Sequence, residues 1–229
     1  MKRKKIWIIP LIVSILSLTI GASFHGYRLH PENAQNYNIG VAMGITMASI
    51  GTDARLLDKD APNNPDGKLN KVAENVFVEY ERAKADGRIG CQLIFSDIGT
   101  PSAEKDFTVY DYLKQSLIQY GIPEEEIAFI HDAKTDAQRD VLFKEMRAGK
   151  QKVLIGSTDK CGTGVNVQTH LVALHHVDCP WKPSSIEQRE GRGIRQGNEN
   201  DEIAVYRYVT KGTFDAYNWS LVENNGATT

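Results

Sequence analysis

Cysteine is scarce in this 229-residue chain. The three that occur, Cys91, Cys161 and Cys179, are odd in number and form no CxxC pair. That excludes a disulfide framework and a structural zinc site, and it suits a reducing compartment. Proline (8) and glycine (19) are too few for collagen-like or low-complexity architecture. Neither sign of charge is in excess: Lys+Arg total 27 and Asp+Glu 29, for a net −2. With 41% apolar residues, this excludes a disordered chain, which would be poor in apolar residues and far from neutral. A phosphate-cradling GxxxxGK is missing throughout, as is any internal repeat.

One long apolar run stands apart from the rest. Lys2, Arg3, Lys4 and Lys5 precede an apolar stretch from Ile6 to Ile20, then Gly21-Ala22-Ser23. A basic start, an apolar stretch and small residues form the pattern of a secretory signal. The run is short for a spanning helix, which needs about 20 apolar residues. Two readings stand: a signal or membrane anchor over 1–23, or a non-native leader on a gene fragment. Those four basic residues have no acidic counterpart before residue 24, so the remainder shifts from net −2 to net −6. A nucleic-acid partner would then need a local basic face.

Residues 24–67 form an irregular or helical segment that is polar apart from the patch Val41–Ile50, and APNNPDGK (61–68) is loop chemistry. The compact domain is expected over 68–225. Leu69, Val72, Ala73, Val76, Phe77 and Tyr80 make one helical stripe, and Val109, Tyr112, Leu113, Leu117 and Tyr120 make a second. Thr135 or Asp136 can cap a further helix through Met146. Five apolar runs predict buried strands: CQLIFS (91–96), IAFIH (127–131), KVLIGS (152–157), LVALHHV (171–177) and EIAVYRYV (202–209). A helix opened by Pro183 and a last one over about 213–223 complete the pattern. This alternation predicts an α/β fold with a mostly parallel sheet and helices on both faces. Ligands of such sheets bind at the carboxyl ends of the strands.

Two loops there carry chemistry. IGSTDKCGTGVN (155–166) leaves a strand with Ser157, Thr158, Lys160 and two close glycines, Gly162 and Gly164. Small residues let backbone N–H groups approach an anion, although a plain glycine-rich turn has the same composition. EQREGRGIRQG (187–197) places Arg189, Arg192 and Arg195 three apart. On a continuous helix they would share a face, where guanidinium forks suit phosphate oxygens; the alternative is a solvated face laced by Glu187 and Glu190. Other signals fail. Asp201-Glu202-Ile203-Ala204 spells a DExx box, but it precedes its strand instead of following it. His175-His176 lies in an apolar run and reads as core, so no metal ligands are assigned.

VLIGSTDKCGTGVNVQ, HHVDCPWKPSSIEQREGRGIRQGN and YRYVTKGTFDAYNW together resemble the second RecA-like lobe of superfamily 2 helicases, in the Swi/Snf-like branch. The likeness is to the large helicase proteins of phages and conjugative elements, and it covers roughly 45–223. It implies a RecA-like three-layer fold and a cytoplasmic protein, or a membrane-anchored one if 1–23 is genuine. It implies that Ser96, Thr158 and Lys160, helped by Lys134 and Arg139, meet a nucleic-acid backbone, with DNA the expected partner. It implies ATP contacts at Gln188, Gly162, Gly164 and Asn166, with Arg192 and Arg195 as the catalytic arginines. Arg189 falls where that family tolerates other residues and is expected to be dispensable. The family's Walker lysine and DExx acid are absent. ATP and Mg²⁺ are therefore expected only together with a first lobe, supplied in cis or in trans, and the chain alone is expected to be inactive. The alternatives are a non-catalytic fragment that binds nucleic acid or protein, and an exported α/β protein that has lost its ancestral activity.

Overall fold

The computed structural model describes residues 5–13, 44–161, 167–180, 182–191 and 197–226. Six strands form one sheet: β1 (Lys5–Val13), β2 (Cys91–Phe95), β3 (Ile127–Phe129), β4 (Val153–Gly156), β5 (Leu171–His176) and β6 (Glu202–Thr210). Their order is β1-β6-β5-β2-β4-β3, and every pairing is parallel. The five expected strands are β2 to β6. The second expected run, IAFIH, ends early, because Ile130–Asp132 turns into a 3₁₀ segment. The apolar run read as a signal or anchor lies, over Lys5–Val13, as an edge strand in register with Glu202–Thr210 of β6. Pro10 is compatible with an edge position. Among the described residues, no helix is long and apolar enough to cross a membrane.

The helices are α1 (44–52), α2 (Lys68–Ala85), α3 (Val109–Tyr120), α4 (Asp136–Arg147), α5 (Thr158–Cys161), α6 (Pro183–Glu190) and α7 (Phe214–Gly226). Their ends follow local chemistry. The Thr108 side chain caps α3, and Gly121 closes it at φ 106°, a conformation glycine adopts without penalty. Thr135 and Gln138 form a reciprocal capping box on α4.

Strand periodicity sorts the sheet's side chains into two cores. Ile94, Val153, Ile155, Ala173, Tyr206 and Tyr208 pack against Leu69, Val72, Val76, Leu113 and Leu117 of α2 and α3. Leu93, Phe95, Leu154, Leu174, Ile203 and Val205 pack against Leu142, Phe143 and Met146 of α4. The molecule is thus helix, sheet, helix. The segment before Lys68 joins the same body. Leu56 packs against the first core, the Thr210 hydroxyl donates to the Gly51 carbonyl (2.6 Å), and Arg55 lies over the Phe107 and Tyr112 rings.

The chain order sets where chemistry can gather. From β2 it moves to β3 at the sheet edge, returns to β4, then passes β2 to build β5 and β6. β4, β2 and β5 are therefore neighbours at the point where the winding reverses. Crevices in such sheets open at that point, outside the carboxyl ends of the strands.

Candidate nucleic-acid and nucleotide interface

A polar cluster occupies that place. Asp97, Thr158 and Asp178 each stand two residues beyond the end of a strand: β2, β4 and β5 respectively. Gly156, the last residue of β4, leaves no room for a β-carbon, which would collide with the Cys161 sulfur and Ile130. α5 can therefore fold tightly against the strand end and bring Thr158 over Asp97.

Arg189 of α6 completes the cluster, its side chain fully buried. Nε donates to Thr158 Oγ1 (2.8 Å), and Nη1 donates to the Asp178 carbonyl (3.0 Å) and lies 3.4 Å from His176 Nδ1. Nη2 donates to Asp97 Oδ2 (2.8 Å) and Asp178 Oδ1 (3.0 Å). All five guanidinium N–H groups thus have acceptors, and the guanidinium also rests over the Phe95 ring.

The carboxylates are equally committed. Asp97 accepts from the Thr158 N–H (2.6 Å) and hydroxyl (2.7 Å). Asp178 Oδ2 accepts from the N–H groups of Asp97 (2.5 Å) and Ile98 (2.9 Å) and lies 3.4 Å from the Ser96 hydroxyl. Burial pushes the Asp178 carboxyl above its ordinary range, against the opposing pull of Arg189.

This geometry corrects one expectation. Arg189 is the centre of the strand-end cluster and not a tolerant surface position. α6 ends at Glu190, with Gly191 as its cap residue. Arg192, Arg195, Gly162, Gly164 and Asn166 lie outside the described residues. Gln188 is exposed on α6.

The expected nucleic-acid donors divide. Ser96 is buried, its hydroxyl donating to the Ile98 carbonyl (2.8 Å), and Thr158 is buried with its hydroxyl in the cluster. Neither offers an open hydroxyl, because both hold the strand ends together. Lys160 on α5 is exposed. Its charge reaches His131 at the end of β3, whose imidazole is held below its ordinary range by burial first and by Lys160 second. Lys134 is exposed on the same strand-end loop, and Arg139 is half-buried and paired with Asp136 (2.5 Å).

The histidine pair belongs to the core. His175 Nε2 lies 2.9 Å from Gln92 Oε1, which can only accept, so the proton sits on Nε2. Nδ1 then accepts from the Tyr208 hydroxyl (2.8 Å). Among the described residues, no group of His, Cys, Asp and Glu is arranged to hold a metal ion. A cleft of about 630 Å³ opens near Arg88, Glu199, Asn200 and Glu202, at the opposite, amino-terminal ends of β5 and β6. The DExx-like Asp201-Glu202 falls there, away from the strand-end cluster.

Asp97 and Asp178 were missed as members of one cluster. Each acid directly follows a buried run, in CQLIFSD and HHVD, and that shared placement was the available signal.

A parallel sheet covered on both faces, with its polar cluster at the winding reversal, defines a RecA-like α/β lobe. More particularly, the chain belongs to the helicase conserved C-terminal domain family, whose model matches residues 74–197, just over half of the chain. It is 36% identical over 73 residues to the defense against restriction protein B of Escherichia phage P1, which covers 32% of this chain and 3% of that protein. It is 38% identical over 77 residues to the uncharacterized ATP-dependent helicase YqhH of Bacillus subtilis, covering 33% and 13%. To the ATP-dependent RNA helicase eIF4A of Phaeosphaeria nodorum it is 35% identical over 77 residues, covering 34% and 19%. The matched stretches thus span less than a fifth of these relatives. In fold the chain is similar to the C-terminal part of the Fun30 ATPase domain, with TM-score 0.54 and 17% identity, covering 83% of this chain and 59% of that one. It is also similar to the DUF1998 helicase MrfA bound to DNA, with TM-score 0.51 and 13% identity, covering 70% and 20%.

Proposed function

We propose that this chain is the second RecA-like lobe of an ATP-dependent DNA helicase or translocase, of the Swi/Snf-like superfamily 2 type found in phages and mobile elements. The observation that carries the reading is the family match over 74–197, which includes both chemistry-bearing stretches, 155–166 directly after β4 and 187–197 at the end of α6 and beyond. In this reading Lys160 and Lys134 meet the nucleic-acid backbone. Arg192 and Arg195 reach the ATP phosphates across a cleft closed by a first lobe, with Gln188, Gly162, Gly164 and Asn166 beside them.

The residues present accord with that division of labour. Asp97 and Asp178 are committed to Arg189 and to backbone N–H groups, so neither carboxylate is open to Mg²⁺. The cation and the phosphate cradle are left to the partner lobe. When bound, ATP and Mg²⁺ supply the transferable phosphoryl group, while this chain supplies guanidinium charge to it. Without the first lobe this chain has no turnover. A role in binding alone, or at a membrane through residues 1–23, is the competing reading.

Reconstitution tests it. A first lobe carrying Walker and DExx motifs is supplied, fused or in trans, and DNA-stimulated ATP hydrolysis is measured. The isolated chain is expected to hydrolyse nothing. The complemented assembly is expected to turn over and to lose about 10³- to 10⁵-fold on Arg192→Ala or Arg195→Ala, the usual effect of removing an arginine finger. DNA-stimulated hydrolysis by the isolated chain, or full activity in both variants, would overturn the reading.

A further inference from the structure

We propose that Lys2, Arg3 and Lys4 dock on the acidic mouth of the cleft at the amino-terminal ends of β5 and β6, and so strap β1 to the edge of the sheet. The inference does not rest on the helicase-lobe reading.

Strand register delivers the basic segment to that mouth. β1 runs parallel to β6, and its first residue, Lys5, stands opposite Glu202, which lines the cleft. Neighbouring strands lie about 4.8 Å apart and rise about 3.3 Å per residue. Continuing the pairing backwards by one residue brings Lys4 to Asp201, and continuing it by three brings Lys2 to Glu199, within about 10 Å of extended chain. Glu199 and Asp201 line the same cleft, and both are exposed.

The charge of the mouth suits a cationic segment. Four acids and two arginines line it. The arginines are already matched: Arg82 lies 3.7 Å from Glu79, and Arg88 donates to Asp86 (2.6 Å) and to Asn200 (3.0 Å). Glu199, which lies 3.1 Å from His170 Nδ1, together with Asp201 and Glu202 leaves the rim acidic. Residues 2–4 bring three cations and no acid.

β1 is an element that such a clamp can decide. Among the described residues it pairs with β6 alone, and Pro10 removes one of its N–H donors. A single exposed ion pair contributes little, but several charges in one network contribute together. The strap is therefore sensitive to ionic strength. Its release bares the β6 edge, a row of unpaired N–H and C=O groups that can template pairing with another chain.

Hydrogen–deuterium exchange of the full chain reads the strap in peptides covering 5–13 and 202–210. In Lys2→Glu/Arg3→Glu/Lys4→Glu at about 50 mM salt, both are expected to exchange roughly 3- to 30-fold faster than in the wild type, the effect of losing a small ion-pair network, while peptides covering β2 are unchanged. Raising the salt to about 500 mM should remove most of that difference. Glu199→Lys/Asp201→Lys is expected to loosen the same peptides, and joining the two sets of reversals to restore protection. Unchanged exchange in the first variant overturns the proposal, as does a combined variant no better protected than either parent. A wild type whose 5–13 peptide exchanges as fast as an unfolded chain also overturns it. So does protection that rises with protein concentration, since the segment would then come from a second copy.

Discussion

At the scale of the residue, the cluster at the strand ends concentrates the molecule's electrostatic risk. Arg189 neutralises two acids, one of which, Asp178, is almost without solvent contact. Truncating one member of such a cluster leaves the others buried and unpaired, at a cost of about 3–5 kcal/mol. Arg189→Ala should therefore lower the unfolding free energy by that amount in urea titrations, whereas Glu187→Ala on the exposed face of α6 should stay within about 0.5 kcal/mol. Equal, small effects would mean that Arg189 behaves as a surface residue after all. His175 supplies a second residue-scale prediction. Burial lowers its pKa from 6.5 to about 3. The unfolded chain takes up this proton near pH 6.5 and the folded chain resists it, so His175 costs nothing above that pH, and stability is lost as pH falls towards 3. At pH 5 the loss amounts to about 2 kcal/mol. Comparing urea midpoints at pH 7 and pH 5 should show a shallower decline in His175→Gln than in the wild type.

At the scale of the element, two helices far apart in sequence are fastened by a buried ion pair. Lys68 opens α2, Asp215 lies in the first turn of α7, and Nζ to Oδ2 is 2.6 Å with both side chains nearly inaccessible. Asp215 also accepts from the Thr210 N–H, which fixes the end of β6. Lys68→Ala should cost about 3–5 kcal/mol, and the double replacement Lys68→Met with Asp215→Leu should recover much of it, because apolar pairs avoid the desolvation penalty. A chemical-denaturation double-mutant cycle measures both, and additive losses would refute the coupling. The elements themselves were largely legible. Runs such as CQLIF and LVALHH are buried at every position, as continuous apolar strands should be, and Thr135, one of the two expected caps, caps α4. Pairings between distant elements were not legible. Lys68 and Asp215 are 147 positions apart, and Arg189 and Asp97 are 92 apart, so only the topology brings them together. Arg189 also sat in a charged stretch whose spacing suggested a helical face, although Gly191 ends that helix. Lys5–Val13, inside the 1–23 stretch expected to be a signal, anchor or leader, pairs as a strand; strand-forming and membrane-seeking runs share the same apolar composition.

At the scale of the whole molecule, charge decides how nucleic acid can be held. The chain carries a net −2, so no global field draws a polyanion, and attraction must come from a few local cations. Among the described residues, the expected nucleic-acid donors that are exposed at the carboxyl ends of the strands are Lys160 on α5 and Lys134 before α4. Arg139 is partly engaged by Asp136. Two or three phosphate contacts give a log–log slope of affinity against salt of about −1.4 to −2.7, because each contact releases roughly 0.7 to 0.9 of a counterion. Affinity should then fall by about 7- to 40-fold between 50 and 200 mM salt. Fluorescence anisotropy with a labelled oligonucleotide measures this directly. Lys160→Ala should reduce the slope by about 0.7 to 0.9 and weaken binding to every oligonucleotide sequence alike, as expected for a contact to phosphate. Ser96→Ala should leave the slope unchanged, since its hydroxyl points to Ile98 and Asp178 and carries no charge. An affinity indifferent to salt, or a Lys160→Ala effect that depends on base sequence, would show that the nucleic acid is not held by backbone contact at this strand-end face.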